Sequence, residues 1–200
     1  KEKEKRVAEK GRKNVLVKPA RIIEGMKSVR IGLVQNASSV ELKLSTDYSI
    51  NAKRGGALVG QGAAGQICTV SVSPEGTLRC RLASYDIAAD GPVVIRLADE
   101  SGTCTIFGIS AGKDNFWQNR SDRSYRGRIE ISVADRKIKI INELSLEEYL
   151  YSVVPSEMLA KWPLEALKAQ AVAARSEAMS KLGRHKADGY DFCPEVHCQS

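Results

Sequence analysis

Glu157 is the residue of this chain whose setting best suits acid–base chemistry. It lies in the segment Val153-Val154-Pro155-Ser156-Glu157-Met158, between two stretches of helical periodicity, with apolar residues on both sides. Half-burial of this connection would disfavour the ionised carboxylate and raise its pKa. A carboxyl group that stays protonated near neutral pH can donate a proton to a glycosidic oxygen. Glu157 is therefore a candidate general acid, with an ordinary solvated loop glutamate as the alternative.

A group of soft metal ligands lies near the carboxyl end. The segment from Cys193 to Cys198 holds two thiols and the imidazole of His197 within six residues. Thiolate and imidazole are ligands that Zn²⁺ takes in tetrahedral sites, and His185 is a candidate fourth ligand. A Cys193–Cys198 disulfide is the alternative in an oxidising compartment. We expect a zinc ion at this place to be structural.

Three further cysteines precede this group: Cys68, Cys80 and Cys104. Cys68 and Cys80 fall near opposite positions of a predicted hairpin, so either a cross-strand disulfide or two buried thiols would fit. Cys104 has no evident partner. The odd total of five argues against a domain stapled throughout by disulfides.

Charge is concentrated at the amino end of the chain. The formal net charge is +7, and residues 1–30 hold a dense cluster of Lys and Arg. Basic chains favour polyanions, but no aromatic–basic interleaving supports nucleic-acid binding. We therefore expect residues 1–27 to be a basic, flexible lead and expect no nucleic-acid partner. The charged start lacks the apolar core of a signal peptide.

The elements that must position these groups divide into two kinds. From Ser28 to Ile141 the chain reads as about eight short strands with period-two alternation, including a hairpin around Ser73-Pro74-Glu75-Gly76. After Asn142 the period changes to 3.6. Strands first and helices last predict an α+β architecture: a β-rich portion with antiparallel strands, followed by two or more helices.

The two helices have clear start and stop signals. Ser145 and Glu148 fit a capping box at the start of the first helix, and Pro155 is expected to end it. Residues 155–162 then form a connection. Pro163 suits the first turn of a second helix over 163–182, and Gly183 is a natural stop. An alanine-rich face predicts close packing of this second helix.

The stretch from Ile141 to Ser176, INELSLEEYLYSVVPSEMLAKWPLEALKAQAVAARS, closely resembles the signature of the SpoIID (stage II sporulation protein D)/amidase-enhancer family. The family pattern N-x-L-x-x-x-x-Y-L, V-x-P-x-E-M and W-x-x-E-A-L-K-A-Q-A-x-A-A-R falls in step with it. The resemblance is sharp over 125–199 and loose over 28–124. It implies a SpoIID-type domain over 28–200, made of a β-rich part (28–124) and a signature part (125–200). Family domains continue beyond this point, so the resemblance also implies truncation, which can leave such a domain inactive.

The resemblance implies a lytic transglycosylase that acts on peptide-free (denuded) glycan strands of peptidoglycan. Glu157, the glutamate of P-x-E-M, would be the general acid and then the base toward the C6 hydroxyl of N-acetylmuramic acid, leaving a 1,6-anhydro end. Ordinary glycoside hydrolysis uses two carboxylates. Here the substrate supplies its own nucleophile, so one carboxylate suffices and the chemistry requires no cofactor.

Three other residues are candidates to bind substrate, and the resemblance implies this role for Arg175. Arg175 would line the cleft, where its guanidinium could bind the lactyl carboxylate, with a structural ion pair as the alternative. Gln170 could hydrogen-bond N-acetyl groups, or pack. Trp162 could stack on a sugar ring, or belong to the core. The family also lends weight to zinc, because some members carry the C-x-x-x-H-C-Q segment.

The family name suggests an alternative function, a non-catalytic wall-binding module that enhances a partner amidase. Either function implies peptidoglycan as a partner, with a cell-wall amidase or sporulation hydrolase complex as a further one. Either also implies an extracytoplasmic protein, membrane-anchored or secreted. The chain departs from the family where Glu177 replaces the aromatic residue of R-[ST]-Y-A, which puts one packing or sugar contact in doubt.

Overall fold

A computed structural model describes residues 27–52, 56–110, 120–193 and 198. Within them lie twelve strands, two α-helices and one short 3-10 turn. The strands are β1 (Ser28–Ala37), β2 (Ser39–Leu44), β3 (Tyr48–Ala52), β4 (Leu58–Gly62), β5 (Ile67–Val72), β6 (Leu78–Arg81), β7 (Asp86–Ala89), β8 (Val93–Leu97), β9 (Cys104–Ser110), β10 (Arg120–Tyr125), β11 (Arg128–Ala134) and β12 (Lys137–Ser145). The helices are α1 (Leu146–Glu157) and α2 (Leu164–Ser180), and the 3-10 turn is Lys186–Asp188.

The strands form two antiparallel sheets of six strands each. The first has the order β1-β12-β11-β8-β3-β4, and the second has the order β10-β9-β2-β5-β6-β7. Inward-facing side chains of both sheets join in one apolar core. In β2, for example, Val40, Leu42 and Leu44 are buried while their neighbours are exposed. This alternation places every second residue in the core.

The predicted α+β class is wrong, because the described residues form a mostly β protein with two helices at the end. The β-rich start and the terminal helices were foreseen, but the number of strands was too low. The missed strands include β4, β7 and β10, which are short and rich in glycine, alanine or polar residues. Such strands carry little apolar alternation, so the sequence pattern gives little sign of them.

Two tight turns join neighbouring strands of the sheets. The predicted hairpin around Pro74 joins β5 and β6, and Gly76 has a φ of +93°. Asp135 and Arg136 join β11 and β12 with φ values of +50° and +58°. Two successive positive φ values are the conformation of a type I′ hairpin turn, which suits the twist of the flanking strands.

Strands from residues 28–124 and from 125–200 share the first sheet, so its core depends on both. The predicted basic lead lies outside the described residues except for Lys27, whose carbonyl accepts a hydrogen bond from the amide of Leu146 at 3.1 Å. Among the described residues, none of the helices combines the length and the apolar character needed to span a membrane.

α1 begins directly at the end of β12. The capping box is confirmed: the Ser145 hydroxyl accepts from the Glu148 amide at 3.2 Å, and the Glu148 carboxylate accepts from the Ser145 amide at 3.1 Å. Just upstream, the buried Asn142 side chain donates to the carbonyls of Arg126 and Arg128 at 2.7 and 3.2 Å. These polar bonds fix the angle at which the helix leaves the sheet.

The predicted helix ends differ in detail from the structure. Pro155 does not end the first helix, which continues to Glu157, and the connection starts at Met158. A proline in the last turn removes only one donor, and the Met158 amide still bonds the Val154 carbonyl at 3.0 Å. Pro163 is the N-cap of α2 and not a residue of its first turn. Of the alanine-rich face, Ala174 and Ala178 are the buried residues of α2.

Ser145→Ala should lower the free energy of unfolding by about 1–2 kcal/mol, because it removes the helix cap and one donor to the buried Glu148 carboxylate. Urea denaturation followed by circular dichroism measures this change. Ser156→Ala, which changes an exposed hydroxyl in the last turn of α1, is the control and should have a much smaller effect. Equal effects of the two substitutions would contradict the assigned role of the cap.

Candidate functional site

Glu157 is the last residue of α1, and its side chain is exposed. The expectation of a half-buried connection is therefore wrong. The cause lies in the helix itself, because the buried residues of α1 all belong to its first half: Leu146, Glu148, Tyr149 and Leu150. The second half of α1 has no buried residue, although Val153 packs against the core, and Glu157 lies at its end.

Large apolar side chains close to Glu157 in sequence are exposed. Tyr151 on α1 is 52% exposed, and Leu159 and Trp162 on the following loop are 59% and 50% exposed. The alternative that Trp162 belongs to the core is thus wrong. An exposed cluster of large apolar residues commonly marks a binding surface.

Arg175 forms a two-pronged ion pair with Glu147 in the first turn of α1. Its Nε and Nη2 atoms lie 3.0 and 2.6 Å from the two carboxylate oxygens. The hydrogen bond to Glu147 raises the pKa of Arg175 further above its ordinary value. The pair joins α2 to α1 and matches the structural alternative for Arg175, while Gln170 is half-buried on the same helix.

The structure brings three of the predicted metal ligands together. Nε2 of His185 lies 3.2 Å from Sγ of Cys198, and the sulfur atoms of Cys193 and Cys198 lie 3.4 Å apart. The three ligand atoms are within 4.8 Å of one another, and both cysteines are buried and form no disulfide. Zn–S bonds of about 2.3 Å place tetrahedral ligands about 3.8 Å apart, so this donor set fits zinc. His197 lies outside the described residues.

His185 is oriented by its other ring nitrogen. Nδ1 lies 3.5 Å from a carboxylate oxygen of Asp188, and the ring stacks on Tyr190 with centroids 5.2 Å apart. A carboxylate on the far nitrogen is the usual companion of a histidine that binds metal, because it fixes the ring and its tautomer. Nε2 is thereby left facing the two sulfur atoms.

The segment that carries these ligands is held against the edge strand β1. The Asp191 carboxylate accepts from the amides of Arg30 and Gly183, at 2.9 and 3.0 Å. The Phe192 carbonyl accepts from the Gly32 amide at 2.8 Å. The Arg30 side chain adds a bond from Nε to the Gly189 carbonyl at 2.9 Å. This anchoring joins residues far apart in sequence, such as Arg30 and Asp191, so a local sequence pattern does not indicate it.

Tyr149 links the cysteine cluster to the candidate acid. Its ring stacks on the fully buried Phe192, with centroids 5.5 Å apart. Burial, followed by the negative charges of Cys198, Glu177 and Glu157, raises the pKa of Tyr149. The phenol therefore lies within the electrostatic reach of both groups. Sequence reasoning used Tyr149 only as part of a motif and of an apolar helix face.

The other three cysteines lie together in the core as free thiols. The β5–β6 register pairs Cys80 with Val70, so Cys68 and Cys80 lie diagonally and not opposite each other. Their side chains form a hydrogen bond, and this bond and burial raise the pKa of Cys68. Burial also raises the pKa of Cys104 to about 12. Of the two alternatives, the structure has the buried thiols.

Asp191→Ala should release the ligand-bearing segment, because two backbone amides lose a charged acceptor. We expect a loss of about 2–3 kcal/mol in the free energy of unfolding. We also expect faster amide hydrogen exchange in residues 183–193, measured by mass spectrometry. Asp86→Ala, an exposed carboxylate on β7, is the matched control. Unchanged exchange in the Asp191 variant would show that other contacts hold the segment.

Comparison with known proteins gives two matches, both short of the whole chain. Residues 134–200 match the SpoIID family, described as Stage II sporulation protein. A 40-residue stretch is 60% identical to an uncharacterised protein of Brachyspira hyodysenteriae (strain ATCC 49526 / WA1). That stretch is 20% of this chain and 11% of the relative. No solved structure matches the chain significantly.

The matched segment contains α1, α2, Glu157 and the described cysteine–histidine ligands, so the family assignment covers the whole candidate site. The match supports a sporulation-related function at the cell wall. Residues 134–200 of this protein are thus similar to the SpoIID family.

Proposed function

We propose that this protein is a lytic transglycosylase that cleaves denuded glycan strands of peptidoglycan, with Glu157 as general acid and base. The observation that carries the proposal is the exposed surface at the tip of α1. There the glutamate of the P-x-E-M motif is exposed at the end of α1, and Tyr151, Leu159 and Trp162, close to it in sequence, are exposed as well. A carboxyl group beside aromatic and aliphatic surface suits a sugar chain, which offers both apolar ring faces and oxygen atoms.

The reaction needs one carboxyl group that changes role. Protonated Glu157 donates its proton to the glycosidic oxygen as the bond from that oxygen to C1 of N-acetylmuramic acid breaks. The C6 hydroxyl of the same sugar then attacks C1, and the Glu157 carboxylate accepts the hydroxyl proton. The products are a 1,6-anhydro end and a free sugar hydroxyl. No water is consumed, so no second carboxylate is needed to activate one.

Exposure of Glu157 in the free protein sets a condition on this mechanism. A fully hydrated carboxyl group is a poor proton donor at neutral pH, so the bound strand has to displace its water. Leu159 and Trp162 provide apolar surface on which a strand could lie. Binding would then supply the burial that the free chain lacks.

Arg175 and Gln170 are the other proposed substrate contacts. The guanidinium of Arg175 is 38% exposed while it holds Glu147. A lactyl carboxylate would have to share the Arg175 guanidinium with Glu147 or displace Glu147 from it. Gln170, on the same helix, could hydrogen-bond an N-acetyl group. Trp162 is proposed to stack on a sugar ring.

We propose that His185, Cys193 and Cys198 hold a structural zinc ion, with His197 as a further candidate ligand. Zinc would tie the end of the described chain to the segment that follows α2. The proposed bond-breaking chemistry does not use it. Its effect on activity would come through Phe192 and Tyr149, which connect this segment to α1.

The alternative function is a non-catalytic wall-binding module that enhances a partner amidase or joins a sporulation hydrolase complex. One observation favours it: α2 has 17 residues but buries only Ala174 and Ala178, and it exposes Leu164, Val172 and Met179. A helix with so much exposed apolar surface suits a protein partner. Both functions place the protein outside the cytoplasm, at the cell envelope.

Glu157→Gln should lower the rate of strand cleavage at least about a hundredfold, because an amide cannot donate the proton. Amidase-treated glycan strands are incubated with protein, and 1,6-anhydro ends are measured by mass spectrometry. Glu165→Gln, an exposed glutamate on α2, is the control and should keep full activity. Retained activity in the Glu157 variant would remove the catalytic assignment. Strand binding by the unaltered chain without any product would favour the amidase-enhancing alternative.

Zinc should bind with a stoichiometry near one ion per chain, and Cys193→Ser should abolish it. Asp188→Asn should weaken zinc binding about 10–100-fold, because His185 loses the carboxylate that orients it. Metal content is measured by mass spectrometry, and affinity by chelator competition. Cys104→Ser, in the core, should leave the stoichiometry unchanged. A ratio near zero for the unaltered chain would refute the zinc site.

A further inference from the structure

A cavity lies in the β-sheet part of the protein, outside the segment that matches the SpoIID family. Its volume is about 560 Å³, which is in the range of small-ligand sites. The walls come from the ends of β3, β4 and β8 and from the turn between β6 and β7. Its polar lining includes Tyr48, Ser49, Gln61, Ser84, Tyr85 and Arg96.

Two lining residues hold buried polar atoms without a hydrogen-bond partner among the described residues. These are the hydroxyl of Tyr48, which is 3% exposed, and Nε of Arg96. Buried polar groups are almost always paired, so each exception calls for an explanation. Two exceptions in the wall of one cavity are explained if a ligand in the cavity pairs with them.

Tyr85 supplies a fixed aromatic face at the cavity. Its hydroxyl bonds both the amide and the carbonyl of Gln61, so the ring cannot swing away. The residue is nevertheless 45% exposed. Glycines make room for the tyrosines, since a Cβ on Gly62 would lie 2.1 Å from the Tyr48 ring. The edge of β4 is thus shaped to hold two aromatic side chains against it.

We propose that this cavity binds one sugar unit of a glycan strand, and that it favours a sugar with a carboxylate. The proposal rests on the proposed glycan substrate and adds a second contact to it. Tyr85 offers a face for the pyranose ring, and the amides and hydroxyls of the lining match sugar oxygens. Arg96 offers a cation for the lactyl carboxylate of N-acetylmuramic acid.

The charges around the cavity are consistent with this preference. The Asp47 carboxylate at the rim is occupied, since it accepts a bond from the Ala64 amide at 2.8 Å. Burial raises the pKa of Glu143, and the positive charges of Arg30, Arg128 and, least, Arg96 oppose this effect. Arg96 therefore has a carboxylate within electrostatic reach, but its Nε donor stays unpaired within the described chain.

Binding is tested with free N-acetylmuramic acid and with N-acetylglucosamine, which lacks the lactyl carboxylate. Both are titrated into the ¹⁵N-labelled chain and followed by amide chemical-shift changes. We expect saturable shifts in residues 47–49, 61–66 and 82–85, with the tighter binding for N-acetylmuramic acid. Arg96→Gln should weaken the binding of N-acetylmuramic acid about tenfold and leave the binding of N-acetylglucosamine almost unchanged.

Matched variants separate the roles of the lining. Tyr85→Leu removes the ring and should abolish binding of both sugars, whereas Tyr85→Phe keeps the ring and should retain most of it. Arg79→Gln, an exposed arginine of β6 outside the cavity, should change nothing. The proposal is overturned if neither sugar gives saturable shifts here, or if the Tyr85 and Arg96 variants bind like the unaltered chain.

The outcome is independent of the test on Glu157. Sugar binding in the cavity without any strand cleavage would leave this site in place and remove the transglycosylase. If the Tyr85 and Arg96 variants cleave strands as the unaltered chain does, and the sugars cause no amide chemical-shift changes, the proposed cavity site alone is refuted. The Glu157→Gln variant should bind both sugars in the cavity as the unaltered chain does.

Discussion

Phe192 connects the sheets, the ligand-bearing segment and the helix that ends in Glu157. Its backbone pairs with β1 through Arg30 and Gly32, and its fully buried ring stacks on Tyr149 of α1. Cys193 follows it directly along the chain. A movement of Phe192 would therefore disturb α1 and the cysteine cluster together. Asp191 keeps this residue in place by binding backbone amides on both sides of the segment.

This connection explains how a metal ion could matter to a site that it does not touch. The cluster of His185, Cys193 and Cys198 closes the segment that follows α2. Metal bound there would restrain Cys193 and, through it, Phe192. The stacked ring would pass that restraint to Tyr149, one turn or more before the end of α1. A structural ion would in this way favour one position of Glu157 without any part in bond breaking.

Features that depend on neighbouring residues could be predicted from the sequence, whereas features that depend on contacts between distant residues could not. The capping box at Ser145 and the ligand grouping of Cys193 and Cys198 depend on neighbours in sequence, and both were predicted. The exposure of Glu157 was not, since it depends on which half of α1 the sheets cover. The role of Asp191 was missed for the same reason: its partner Arg30 lies 161 positions away. The strand β4 was not predicted from the sequence, because its glycines make room for Tyr48 and Tyr85 and leave it without an alternating apolar pattern.

The arrangement of buried and exposed residues also bears on how a long strand could be held. α1 is buried over its first half, so its exposed tip has a rigid base in β12 and the core. The cavity beside Tyr85 is built on strand ends of the same protein, at residues that the apolar core holds in place. Both surfaces thus combine exposed aromatic rings with a fixed backbone. A polymer that contacts two rigid sites at once loses less freedom at the second contact, because the first has already restricted it. The sheets would then contribute to strand binding as well as supporting the helix that carries the acid.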